Sequence, residues 1–222
     1  VTTVGTSAFA YCTGLTSLTI PDSVTYIGTN SFNYLTSLGT LSIGNNVTYI
    51  GSGAFYYCTG LTSITIPDSV ETIDVSAFWG CNALASITIG SGVTSIEDNA
   101  FNYCSSLTNI TFHGLTAPAI GPSWKDHTPA TIRGHAYYAS NFPAPGGNFY
   151  GLIMGDYIPE GYTYTVTDGN ATITGYLGAG GDVTIPSTLG GCPVIAIGDY
   201  AFDFNDNITS LTIPDSVTSI GI

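Results

Sequence analysis

The chain has 222 residues, 44% apolar and only 8% charged, and its 15 acids face two cations, Lys125 and Arg133, for a net charge of −13. The charged share is about a third of the usual one, so hydroxyls and amides must hydrate the surface, as on many extracellular proteins. A chain so poor in cations argues against nucleic acid or an anionic bilayer as a partner, and no apolar run of about 18 residues is present to span a membrane.

The length suffices for one large domain or two smaller ones. No basic segment followed by an apolar core opens the chain. Its first residues, VTTVG, already fit inside a repeat, so the natural protein is expected to begin upstream.

Internal repetition decides the architecture. Phe9, Phe32, Phe55, Phe78 and Phe101 follow one another at intervals of 23 residues, which is the mark of stacked repeats. Each is preceded by a small residue: Ala8, Ser31, Ala54, Ala77 or Ala100. Counting each Phe as zero, position +6 holds Leu15, Leu38, Leu61, Leu84 and Leu107. Positions +9 and +11 hold Leu18/Ile20, Leu41/Ile43, Ile64/Ile66, Ile87/Ile89 and Ile110/Phe112. Position +15 holds Val24, Val47, Val70 and Val93, and +18 holds Ile27, Ile50, Ile73 and Ile96. The alternation predicts a short strand with +9 and +11 on one face. Pro21 or Pro67, or Gly44 or Gly90, ends that strand at +12. Each unit therefore reads as one turn of a coil: strand, bend, second apolar edge, and a short helical or irregular return. A lone coil cannot bury its Phe, Leu and Ile, whereas coils stacked about 4.8 Å apart form a continuous apolar column.

The units LTSLTIPDSVTYIGTNSF and LTSITIPDSVETIDVSAFWGC resemble the BspA-like class of leucine-rich repeats, over residues 1–114 and again about 183–222. The resemblance implies a right-handed solenoid with a parallel sheet on one side. It also implies a secreted or surface-anchored microbial protein that binds host or neighbouring-cell molecules, and not an enzyme.

The second repeat departs from the pattern, with Leu35 where the others carry Cys. After Phe112 the register is lost, and residues 115–159 read as a connector, partly extended or packed as a cap on the last coil. Its aromatics (Trp124, Tyr137, Tyr138, Phe142, Phe149, Tyr150) argue against a floppy linker. From Tyr162, YTYTVTDGNATITGY alternates around Asp168-Gly169, a strong hairpin signal. VTIP at 183–186 restarts the repeat with a five-residue insertion before Val194 and Ile197, and Ala201-Phe202 restores the anchor. The expected fold is thus a repeat solenoid: a five-coil leucine-rich-repeat array with a parallel β-sheet face (1–114), a connector or cap (115–159), and a β-hairpin cap that starts a second array (160–222). Residues 217–222 match residues 1–6 in register. Three explanations stand: an arbitrary window of a longer chain, tandem modules, or head-to-tail assembly.

Cys12, Cys58, Cys81 and Cys104 all fall at +3. Zinc sites need close pairs of ligands, which this spacing does not offer. Stacked Cβ atoms a strand spacing apart also exceed the roughly 3.5–4.5 Å of a disulfide, so buried free thiols are expected; a Cys58–Cys81 or Cys81–Cys104 bridge is the minority reading. Sequons occur at Asn46, Asn109, Asn170 and Asn207. Asn46 at +14 is expected to be inaccessible in a buried polar ladder; Asn109, Asn170 and Asn207 are candidate glycosylation sites. Asp126-His127 suggests an acid–base pair, but no nucleophile elbow or H-E-x-x-H accompanies it. The stretches DGN at 168–170 and GAGGD at 178–182 read as turns rather than calcium or phosphate loops. No catalytic, metal or cofactor site is expected.

Positions +8 and +10 compose the solvent face of the sheet: Ser17/Thr19, Thr40/Ser42, Ser63/Thr65, Ser86/Thr88 and Asn109/Thr111. This neutral, hydroxylated lattice serves β-propensity and solubility, and it is also the candidate docking face for another chain or a glycan. The functional expectation is a non-enzymatic, extracellular structural or adhesive protein that packs end to end with copies of itself and binds through this face. The alternative is a receptor-like module for a protein or glycan ligand, seated on the sheet or in the connector.

Overall fold

The computed structural model describes residues 1–114, 116–136, 140–155, 161–176, 180–189 and 192–221. The chain forms two compact units, Val1–Asp156 and Tyr157–Ile222. The first is a β-solenoid. β1 (Thr3–Val4) precedes the coil of Phe9, which carries β2 (Ser17–Ile20) and β3 (Tyr26–Ile27). The coils of Phe32 and Phe55 carry β4 (Thr40–Ile43), β5 (Tyr49–Ile50), β6 (Ser63–Ile66) and β7 (Thr72–Ile73). Those of Phe78 and Phe101 carry β8 (Ser86–Ile89), β9 (Ser95–Ile96), β10 (Asn109–Phe112) and β11 (Ala119–Ile120). The short strands form one parallel sheet in the order β1-β3-β5-β7-β9-β11.

Stacking in register makes each sequence position a row. Phe32, Phe55, Phe78 and Phe101 are buried, and successive rings from Phe9 to Phe101 stack 5.2–5.4 Å apart. The Leu, Ile and Val rows enclose them in one core. Around each Phe the backbone divides its donors. The Phe32, Asn30 and Tyr34 amides donate to the next coil, at Ala54, Ser52 and Tyr56, while Ser31 and Asn33 bond three residues back within their own coil. This alternation sets non-glycine residues two before and two after the Phe in the left-handed region, with φ of 53° at Asn30 and 57° at Tyr34. It also explains why no helix forms in the returns among the described residues: every second N–H serves a neighbouring coil, so an i−4 ladder cannot close.

The coils are not equally spaced in chemistry. Position +12/+13 alternates Pro21-Asp22, Gly44-Asn45, Pro67-Asp68, Gly90-Ser91. Asp22 accepts from the Asn45 amide, and Asp68 from the Ser91 amide, both at 2.7 Å. The coils press so close there that a Cβ on Gly44 would lie 2.6 Å from the Pro21 carbonyl carbon, and one on Gly90 2.5 Å from that of Pro67. Between Gly44-Asn45 and Pro67-Asp68 the order is reversed. Asn45 makes no such clamp, and Pro67 has no N–H to give.

The long strands register that difference. β2 pairs with β4, and β6 with β8 and β8 with β10, all parallel and in 23-residue register, but β4 and β6 form no ladder.

Beyond Phe112 the solenoid continues. β12 (Arg133–Ala136) pairs parallel with β10, Asn109 opposite Arg133, and Ala119 in β11 lies opposite Ser95. The coil is one residue longer than its predecessors, so stacking persists where the sequence period breaks. β13 (Asn148–Phe149) and β14 (Leu152–Met154) follow, antiparallel to each other, with β14 parallel to β12. Phe112, Phe142 and Phe149 cluster with ring centroids 4.6–5.7 Å apart and close this end of the core. Tyr137 and Tyr138 lie outside the described residues.

In the second unit β15 (Tyr162–Thr167) and β16 (Asn170–Tyr176) form the expected hairpin, with φ of 51° at Asp168 and 76° at Gly169, the two positive values of a type I′ turn. β17 (Gly181–Thr184), β18 (Thr188–Leu189), β19 (Cys192–Ile197), β20 (Ile208–Thr212) and β21 (Ser219–Ile220) complete it. β19 meets β21 in 23-residue register, but β17 meets β20 with Val183 opposite Leu211, five residues more. The antiparallel pairing of β18 with β19 absorbs the insertion.

Truncating Phe78 to Ala is expected to cost about 3–5 kcal/mol in urea unfolding. Phe9→Ala, at a ring already 49% exposed, is expected to cost markedly less.

Candidate functional site

The candidate face is the outward side of the long strands. Ser17, Thr19, Thr40, Ser42, Ser63, Thr65, Ser86 and Asn109 are exposed, and Thr88 and Thr111 half-exposed. From β6 to β10 they form two rows in direct register: Ser63, Ser86 and Asn109, and Thr65, Thr88 and Thr111. Asn109 turns its Nδ2 to the Thr108 hydroxyl at 3.1 Å. Acidic side chains sit elsewhere. Asp22 and Asp68 clamp coils, and Asp74 accepts from the Tyr49 hydroxyl, whose proton is held far more tightly than usual by burial and then by that bond. The face is neutral through β10, and Arg133 on β12 ends it, opposite Asn109.

A second, partly exposed array went unread in the sequence. Tyr11, Tyr34 and Tyr57, all at +2, stack 4.8 and 5.2 Å apart; Tyr56 stacks on Trp79 at 4.8 Å and Tyr103 on His127 at 4.0 Å. The signal was available, since +2 is Tyr in four coils of five. The ring faces are spent on one another, leaving mostly edges outward. His127 is tied by that stack and by Nδ1 at 3.0 Å from Asn102 Oδ1; nothing in the geometry turns it toward the Asp126 carboxylate. Trp124, one of the connector aromatics, is buried and donates its Nε1–H to the Tyr150 carbonyl at 3.1 Å.

Cys58, Cys81 and Cys104 are fully buried, and each Sγ donates to a carbonyl of the preceding coil, Phe32, Phe55 and Phe78, at 3.3 Å. Burial pushes the Cys58 and Cys104 thiols up to about 12, and it raises Cys81, with a thiol on either side, well above its ordinary value. Cys12, expected in the same buried ladder, is exposed. Asn46 is exposed too, contrary to the polar-ladder expectation: it sits on the outside of the bend and donates to the Asp22 carbonyl at 2.8 Å. Of the other sequon residues, Asn109 and Asn207 are exposed and Asn170 is half-buried beside the hairpin turn.

The repeat sequence matches the model of the BspA type leucine rich repeat region in six copies, over residues 2–121 and 182–222, well over half of the chain. The chain belongs to the BspA-type leucine-rich-repeat family. No curated protein matches it. Among solved structures it is similar to a leucine rich cell surface protein from Faecalibacterium prausnitzii A2-165, with 31% identity and a TM-score of 0.46 over 100% of this chain and 61% of that one. It is also similar to a leucine rich repeat protein of T. pallidum, with 25% identity and a TM-score of 0.43 over 56% of this chain and 72% of that one. A leucine-rich repeat protein from Bacteroides ovatus shares 16% identity, with a TM-score of 0.34 over 100% of this chain and 66% of that one. The chain thus spans less than two thirds of the F. prausnitzii protein. The first stretch of the BspA-type match ends at residue 121, inside the lengthened coil that carries β12.

In the BspA-type core the unfolded chain ionises its thiols near pH 9, while folded Cys58 and Cys104 hold their protons to about 12. Raised acid pKa values in the fold give stability that is complete below the unfolded value and lost above it. Unfolding free energy is therefore expected to fall from about pH 9 upward, by at most about 1.4 kcal/mol per pH unit per thiol. Denaturation at pH 7.5 and pH 10 measures the fall, and Cys81→Ala should reduce it. Iodoacetamide should label Cys12 in the folded chain and the three buried thiols only after unfolding.

Proposed function

We propose that the chain is a non-enzymatic, extracellular adhesive or structural protein that docks protein or glycan partners on its hydroxylated sheet face. The observation that carries this reading is the neutral lattice of Ser63, Thr65, Ser86, Thr88, Asn109 and Thr111, held in register by two unbroken strand pairings. Such a face is rigid, so ordering it costs a partner little. It is also weakly hydrated compared with charge, so covering it carries no ion-desolvation penalty. The cell-surface description of the F. prausnitzii protein supports placing this one outside the cell. Copies of the chain are a further partner: the coil-on-coil stacking that builds the array is also a surface on which one array can continue another.

The experiment compares binding of purified chain to bacterial and epithelial cell surfaces with that of Ser86→Asp/Thr88→Asp. Two carboxylates on the face are expected to lower binding tenfold or more at unchanged melting temperature; equal binding would remove the face from the reading. Sedimentation velocity and electron microscopy test self-association separately, and a chain that stays monomeric at high concentration without visible polymer ends that part. The receptor-like alternative predicts that Thr65→Ala abolishes binding without altering assembly.

A further inference from the structure

The ladder is broken at one place in the array. Gly39 donates its N–H to Thr16 at 2.9 Å, Ala85 to Thr62 at 2.8 Å, Thr108 to Ala85 at 2.9 Å and Arg133 to Thr108 at 2.9 Å, but Thr62 donates no such bond to Gly39. Two latches are thus missing between β4 and β6: the amide at the strand entry and the aspartate clamp that Asn45 does not supply. On the other sides the same two coils stay joined. β5 pairs with β7, Phe32 stacks on Phe55 at 5.4 Å, and the Asp74 amide donates to Ile50 at 3.0 Å. The result is a wedge, hinged at the core and open on the sheet face, with a cavity of about 400 Å³.

Its chemistry is uniform. Thr40, Ser42, Thr62, Ser63 and Thr65 bring hydroxyls to the rim, and none of these hydroxyls is engaged in a hydrogen bond within the chain. Leu41, Ile43 and Ile64 supply an apolar floor, in which Leu41 is half-buried and Ile43 and Ile64 are buried. No charged side chain lines the cavity. The facing strand edges add unladdered peptide groups, which demand partners.

We propose that the wedge between β4 and β6 is a binding site for a neutral saccharide unit of a glycan. A sugar ring carries hydroxyls that both donate and accept, matching the mixed hydroxyl and peptide rim, and a C–H face that suits the aliphatic floor. An ionic ligand finds no counter-charge. An inserted peptide strand would need its two neighbours at about twice the 4.8 Å spacing, which the β5–β7 pairing and the Phe32–Phe55 stack forbid. The proposal rests on the reading of the hydroxylated sheet as the recognition face and names its ligand class and its place.

The test is to titrate the isotope-labelled full chain with neutral gluco-, galacto-, manno- and xylo-hexasaccharides, following amide shifts by NMR. At least one sugar is expected to shift the amides of residues 39–43 and 62–66 selectively. Ser42→Ala/Thr65→Val is expected to weaken that sugar tenfold or more, while Thr94→Val, at an exposed position beside β9 in the other sheet, changes affinity less than twofold. The shift map does not depend on either variant folding. Shifts centred on residues 86–111 with the wedge unmoved, binding of extended peptides instead of sugars, or no sugar bound at millimolar concentration each overturn the proposal. In all three outcomes cell-surface binding that is sensitive to Ser86→Asp/Thr88→Asp would leave the broader reading standing.

Discussion

Everything in the first unit depends on one constraint, the in-register stacking of coils 23 residues apart. Register turns sequence position into geography. The Phe row is a column of rings, the +3 row a column of thiols, and the +8 and +10 rows a hydroxyl lattice. The same constraint makes the left-handed residues around each Phe tolerable. An isolated tyrosine in that region would be strained by roughly 1–2 kcal/mol. Here each such residue places a donor on the next coil, so the stack over-determines the conformation.

Stacking does not make the interfaces equal. In a solenoid each coil meets only its neighbours, so total stability is close to a sum of interface terms. Pro-Asp beneath Gly-Asn or Gly-Ser gives a tight, clamped interface. The reverse order gives a loose one. The Phe9 and Phe32 coils, and the Phe55 and Phe78 coils, therefore behave as latched pairs, and the wedge falls between them. A weak interface costs little when hinge, ring stack and short strands remain, and it yields the array's one interruption of the long sheet between β2 and β12.

The rows were legible wherever a single position carried the message: the Phe, Leu and Ile columns, the hairpin at Asp168-Gly169, and the five-residue insertion that reappears as the offset of Val183 from Leu211. What escaped depended on relations between coils. The extra coil after Phe112 was hidden because it is one residue longer than the others and replaces the anchor, with Trp124 buried near where a small residue and Phe would stand. Asn46 was placed by analogy with a buried ladder, whereas the bend of these coils turns that position outward. The wedge needs two adjacent coils to be compared at +12 and +13, and no single-coil pattern contains it.

The distribution of charge closes the account. A net charge of −13 on a chain of this size would repel most cell surfaces at low salt if it lay on the recognition face. Instead the carboxylates of Asp22 and Asp68 are turned to backbone amides and that of Asp74 to the Tyr49 hydroxyl. The sheet from β2 to β10 is left to Ser, Thr and Asn at +8 and +10. Keeping these carboxylates off the sheet lets a strongly acidic chain still offer a face on which a neutral partner meets neither attraction nor repulsion at long range. Selectivity must then come from short-range fit, and fit is where an interruption in an otherwise uniform lattice distinguishes one site from its repeats.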